Sequence, residues 1–151
     1  MDFYVCVGDS VQFSKTVSEA DVYLFAGVTG DLAPVHVNAQ LMEKSAYGQR
    51  IAHGALLVGF MSTCSTLMVA RSADSHNKGE TPVSLGYDRV RFLAPVFFGD
   101  TMNLDYRIAG IDVERRRSTA NITVTNQNGV LVASATHILK WVKIKNGADN
   151  A

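Results

Sequence analysis

The stretch that decides the fold is Gly54-Ala55-Leu56-Leu57-Val58-Gly59-Phe60-Met61-Ser62-Thr63-Cys64-Ser65-Thr66-Leu67-Met68-Val69-Ala70. Wound into a helix, its apolar side chains surround the axis on most sides, and a helix without a clearly polar face is a buried one. Gly59, Ser62, Thr63, Ser65 and Thr66 interrupt the run, so it reads as the core helix of a soluble domain and falls short of a membrane span.

A buried helix needs a cover, and the sequence beyond it supplies one. Leu85 to Phe92, Thr101 to Ile111, Ser118 to Thr125 and Val130 to Lys143 are rich in β-formers, often alternating. Met102, Leu104, Tyr106 and Ile108 share one face, with Asn103, Asp105 and Arg107 on the other. Pro95 and Gly99-Asp100 mark a turn, and Asn128-Gly129 predicts a type I′ hairpin.

On the N-terminal side, Val11 to Thr16 is a short strand. Ser18-Glu19-Ala20-Asp21 reads as a capped helix start, with acids at the positive helix end. That helix runs toward Val28 and stops at Gly30, which can adopt positive φ. Pro34 disfavours helix at the residue before it, so Asp31 to Val37 is expected as a loop. Asn38 caps a short helix from Ala39 to about Ala46, closed by Gly48. Helices first and strands afterwards give an α+β fold, with an antiparallel sheet wrapped around one long central helix. Without repeats, low-complexity tracts or linkers, residues 1–151 form a single domain.

Apolar residues make up 47% and charged residues 19% of the chain, a globular composition. Lys plus Arg and Asp plus Glu are equal at 14 each, so no long-range field favours nucleic acid. Cys6 and Cys64 form no pair motif, which points to a reduced, cytoplasmic setting. Met1 to Ser10 has neither the basic start nor the apolar run of a signal peptide.

The four histidines are His36, His53, His76 and His137. No two have helical metal-ligand spacing and the cysteines do not join them, so no metal is expected. A G-x-S-x-G elbow and a Gly-rich phosphate loop are both absent. What remains is Gly30-Asp31-Leu32-Ala33-Pro34-Val35-His36. A carboxylate and an imidazole on one proline-stiffened loop can converge on a water and move its proton, a contribution of about 10²–10⁴-fold in rate. The alternative is that Asp31 only closes an Asx turn and His36 is an ordinary polar residue.

Ala52-His53-Gly54 lies at the start of the long helix, where N–H groups lack partners and carry partial positive charge. Gly54 would let a carbonyl oxygen approach its N–H and so stabilise an oxyanion. Close helix–sheet packing is an equally good reason for that glycine, and capping or structure is the common fate of a histidine such as His53. Ser62, two helical turns further on, either bonds back to a carbonyl or faces the Asp31–His36 pair. Arg115-Arg116-Arg117 reads as a solvated turn. Arg89, Arg91, Lys140 and Lys143 are further candidates to meet substrate phosphates.

Three blocks of this sequence resemble the MaoC-like (R)-specific enoyl-CoA hydratases of the hot-dog fold. They are Phe25 to His36, with Gly30-Asp31-Leu32-Ala33-Pro34-Val35-His36 at its end; Tyr47-Gly48-Gln49-Arg50-Ile51-Ala52-His53-Gly54; and Phe92-Leu93-Ala94-Pro95-Val96-Phe97-Phe98-Gly99-Asp100-Thr101. Ala33 departs from the family's asparagine, and Met42 stands where a small residue is common.

The resemblance implies that Asp31 and His36 are catalytic and that Gly54 supplies an oxyanion N–H. It places Ser62 where related short hydratases carry an active-site serine. It further implies addition of water to a trans-2-enoyl-CoA, giving an (R)-3-hydroxyacyl-CoA, without metal or redox cofactor. Acyl-CoA and a second copy of the chain are the partners it implies, with no nucleic acid and no membrane. The rivals are a dehydratase acting on 3-hydroxyacyl carrier protein and a non-catalytic acyl-thioester-binding subunit. A thioesterase is disfavoured, because Gly54 to Ala70 carries no Asp or Glu.

Overall fold

In the structure, a computed structural model, residues 3–71 and 79–144 are described; His76 lies outside them. The order of elements is β1 (Ser10–Thr16), α1 (Glu19–Thr29), α2 (Pro34–Val37), α3 (Ala39–Glu43), α4 (Gly54–Arg71), β2 (Glu80–Phe92), β3 (Thr101–Asp112), β4 (Arg117–Thr125) and β5 (Leu131–Lys143). The strands form one antiparallel sheet in the order β1-β3-β4-β5-β2. The α+β arrangement of a long helix on an antiparallel sheet is therefore the one expected.

The alternation in β3 holds. Met102, Leu104, Tyr106 and Ile108 are buried, while Asn103 and Arg107 are exposed. They meet Leu56, Leu57, Phe60, Met61, Cys64 and Met68 of α4 in one core with Trp141 of β5. Full burial of each large apolar side chain contributes about 1.5–3 kcal/mol, so this shared face holds α4 in place.

Four local expectations change. First, α4 is buried on one face only, and Ala55, Gly59, Ser62 and Thr66 stay exposed on the other. With 18 residues it also reaches membrane-span length and apolarity, contrary to the sequence expectation. Its buried face is occupied by the sheet, as in a core helix. Second, Pro34–Val37 is a helical turn and no loop. Proline restricts the residue before it, and Ala33 is accordingly extended at φ −54° and ψ 136°; Pro34 itself suits a first helical position.

Third, the helix after Asn38 ends at Glu43, short of Ala46, although Asn38 does cap it by accepting from Leu41 N–H at 3.0 Å. Fourth, the hairpin between β4 and β5 is not type I′. That turn needs positive φ at both central residues, and of Asn128 and Gly129 only Gly129 has it. The Asn126 side chain organises the turn by accepting from Asn128 N–H and Val130 N–H, each at 3.0 Å.

The α1 start is as the sequence indicated. Ser18 and Asp21 form a reciprocal capping box, and Gly30 closes the helix at φ 79°. That left-handed residue turns the chain out of α1 directly before Asp31.

Candidate active site

Asp31 is shaped by its neighbours in sequence. Its N–H donates to Thr29 Oγ1 at 3.2 Å, and its Oδ1 accepts from Ala33 N–H at 3.3 Å. The second bond is an Asx turn. Oδ2 faces Nε2 of His53 at 3.9 Å. The Asx turn read as the alternative is present, and the histidine that the carboxylate faces is His53, while His36, the partner expected, belongs to the same group of side chains within 4.8 Å.

His36 sits in the single turn of α2. Its Nδ1 is 2.8 Å from the carbonyl of Ile51, whose own N–H donates to Val35 O at 3.1 Å. A carbonyl oxygen only accepts, so Nδ1 carries the proton and a neutral ring presents Nε2 as an acceptor.

His53 closes the arrangement. Only 2% of it is exposed, and its ring stacks on that of His36 with centroids 3.7 Å apart and planes 28° apart. Its Nε2 donates to the main-chain carbonyl of Asp31 at 2.9 Å. Its Nδ1 is buried without a hydrogen-bond partner, so the side chain does not cap α4.

Gly54 is the first residue of α4, where N–H groups find no acceptor within the helix. A Cβ added there would stand 2.6 Å from the ring of Phe92. Packing therefore demands this glycine, and the same absence of a side chain leaves its N–H approachable.

His36, Ile51, His53 and Gly54 line one cleft of about 310 Å³ together with Tyr47, Ala52, Leu57 and residues 92–96. Asp31 is not in that lining; it stands half-exposed beside His53. Ser62 is placed elsewhere in this chain. It is exposed on α4 and lines a second cleft of about 300 Å³ with Ser65, Thr66, Val69, Pro82, Ser84 and Leu139.

Ligand-type atoms of Asp31, His36 and His53 lie within 4.8 Å of one another, a grouping that their sequence spacing hides. Two of the four imidazole nitrogens already face carbonyl oxygens, which leaves His36 Nε2, the buried His53 Nδ1 and the carboxylate as the remaining ligand-type atoms of the group.

The basic residues divide. Arg116 is not a solvated side chain: it pairs with Glu80 and lies over the rings of Phe3 and Tyr4, and Glu80 raises its pKa. Arg89 and Arg91 are exposed on β2, whose last residue, Phe92, lines the cleft. Sequence reasoning also missed His137, which is fully buried. Its Nε2 is 2.8 Å from Ser84 Oγ and its Nδ1 is 2.8 Å from Tyr106 OH. Burial pushes its pKa down to about 4.

Residues 4–131 match the family of MaoC-like domains, and the chain belongs to that family. Among curated relatives, it is 32% identical over 133 residues to an (R)-specific enoyl-CoA hydratase of Rhodospirillum rubrum, covering 87% of this chain and 85% of the relative. It is 30% identical to a 3-hydroxybutyryl-CoA dehydratase of Methylorubrum extorquens, covering 95% of this chain and 84% of that one. Among solved structures, the (R)-hydratase of A. caviae superposes with a TM-score of 0.75 at 24% identity, over 90% of this chain and 96% of the other. That superposition identifies the hot-dog fold.

Proposed function

We propose that this protein adds water reversibly to the double bond of a trans-2-enoyl-CoA to give an (R)-3-hydroxyacyl-CoA. The observation that carries the reading is the grouping, within 4.8 Å, of the half-exposed Asp31 carboxylate with the imidazole of His36, whose Nδ1 is committed to Ile51. His36 Nε2 and the Asp31 carboxylate are both acceptors, suited to the two hydrogens of one water. Its oxygen then attacks the β carbon, and its proton passes to the carboxylate. The π electrons move onto the thioester oxygen, where the N–H of Gly54 at the head of α4 stabilises the enolate. A proton returned to the α carbon completes the addition. No redox change occurs, and the scheme uses no metal.

The names of the two curated relatives support the same reaction in its two directions. Dehydration of a 3-hydroxyacyl carrier protein is the second reading. Arg89 and Arg91, on the strand that ends at the cleft, are suited to substrate phosphates.

The acting unit we propose is a homodimer. The outer edge of β2 is unpaired among the described residues, and Val83 and Leu85 are exposed on it. A second copy meeting that edge would lie beside the exposed face of α4, which gives Ser62 a route to substrate that the single chain lacks. Cys6 and Cys64 are both free thiols, which suits a cytoplasmic location.

The test is the ultraviolet absorbance of crotonyl-CoA and of an eight-carbon 2-enoyl-CoA after addition of the purified protein. Loss of the enoyl signal with an (R)-3-hydroxy product by chiral analysis is expected. No change with either ester, followed by turnover of a carrier-protein thioester, would replace this reading with the second. No turnover of any of them leaves the non-catalytic binding subunit.

A further inference from the structure

We infer that His53 is a positioning residue that holds both members of the acid–base pair with one ring. Its kinetic consequence rests on the hydration reading above; its structural content does not. The Nε2–H of His53 donates to the Asp31 carbonyl at 2.9 Å and lies 3.9 Å from Asp31 Oδ2. The face of the same ring lies against His36 at 3.7 Å. One buried side chain thereby fixes the main chain of one partner and the ring plane of the other.

The far end of this segment is tied to residue 51, through Ile51 N–H to Val35 O at 3.1 Å and His36 Nδ1 to Ile51 O at 2.8 Å. Asp31 itself has otherwise only local bonds that involve a side chain, at 3.2 Å to Thr29 Oγ1 and 3.3 Å from Ala33 N–H. His53, by contrast, is anchored on both sides. Ala52 N–H donates to Val96 O at 2.8 Å, and Leu56 N–H donates to the His53 carbonyl at 3.1 Å as α4 begins. The ring therefore ties a surface loop to the framework of the cleft.

Neither packing nor capping accounts for a histidine here. At 2% exposure an apolar ring would fill the space without burying a polar atom, whereas His53 leaves Nδ1 with no partner. A buried polar group with no partner is destabilising. Capping would need that same Nδ1 to accept a helix N–H, and it accepts none. What histidine provides, and phenylalanine lacks, is the donor to Asp31. What it provides, and glutamine lacks, is the flat face under His36.

Two variants separate these contributions. His53→Phe keeps the ring and removes the donor; His53→Gln keeps an N–H donor near the Nε2 position and removes the ring. We expect His53→Phe to lower kcat by about 10²-fold, the effect of a roughly 1 Å misplacement of a catalytic group. KM should stay within about twofold, since positioning acts on the reacting geometry and leaves ground-state binding alone. The kcat of His53→Gln should fall between those of His53→Phe and the wild type.

Amide hydrogen exchange supplies the readout that does not depend on turnover. In His53→Phe, exchange should accelerate selectively across residues 31–36, and His53→Gln should restore its protection. Equal kinetic losses in both variants, with exchange raised along the whole chain, would reduce His53 to a structural residue and overturn the inference. Unchanged kcat in an active wild-type background would overturn it too. If the wild type turns over no enoyl thioester, the hydration reading fails. The exchange contrast at residues 31–36 then decides the positioning role alone: its presence supports the role and its absence overturns it.

Discussion

The imidazole of His36 and the carbonyl of Ile51 are joined by a 2.8 Å hydrogen bond across 15 positions of sequence. This bond assigns the tautomer. With the Nδ1 proton directed at a main-chain oxygen, the free nitrogen of a neutral ring is an acceptor, as the proposed orienting of the water beside the Asp31 carboxylate requires.

His36→Asn should separate fold from chemistry. Its amide can still donate toward Ile51, while nothing replaces Nε2. We expect a loss in kcat of at least about 10²-fold with an unchanged melting temperature, and the same for Asp31→Asn. Stopped-assay rates beside thermal melts check both. Near wild-type turnover in either variant removes that residue from the mechanism.

Gly54 is governed by Phe92. Alanine is the better helix former by about 1 kcal/mol, so Gly54→Ala would ordinarily stabilise a helix. Here its methyl meets the Phe92 ring at 2.6 Å, and we expect a lower melting temperature and lost activity. In a Phe92→Ala background the same substitution should cost no stability. A double-mutant cycle of melting temperatures reads this coupling, and additive effects would place the constraint elsewhere.

Stability should fall on acidification because of His137. Its pKa is lowered by burial from 6.5 to about 4. Between those values the unfolded chain binds more protons than the folded one, so stability rises with pH across that window. The contribution is complete above about pH 6.5 and is lost as the pH falls toward 4, a change on the order of 2 kcal/mol. Urea midpoints between pH 7 and pH 4 measure it, and His137→Phe should flatten the slope.

The free edge of β2 predicts the behaviour in solution. Light scattering should give about twice the chain mass of 16.4 kDa, and Leu85→Glu, placed on that edge, should shift it toward one chain. A wild-type monomer at micromolar concentration would rule the proposed dimer out.

Much of the framework was legible because its signals are local. The apolar run of α4 and the alternation of Met102, Leu104, Tyr106 and Ile108 are periodicities that survive folding. The Ser18–Asp21 box and the Gly30 stop are likewise read within a few residues. Asp31 and His36 were expected near one another because five positions of chain cannot take them far apart, and they group within 4.8 Å although the segment between them is partly helical. Asn128-Gly129 was misread, because the Asn126 side chain two residues earlier chose a different turn.

The site's working geometry was not legible. No spacing rule brings His53 beneath His36, or its Nε2 to a carbonyl 22 positions away. That meeting depends on segment 51–53 docking beside 96–97, through the Ile51–Phe97 bridge and the Ala52–Val96 hydrogen bond. The reason for Gly54 likewise lies in Phe92 on another element, and the exposure of Ser62 in the angle at which α4 meets the sheet. Sequence alone determined the order of most elements, the buried face of β3 and the nearness of Asp31 to His36, since these follow from neighbours along the chain. Tertiary structure decided the His36 tautomer, the role open to His53 and the separation of Ser62, since each depends on contacts between segments that only packing brings together.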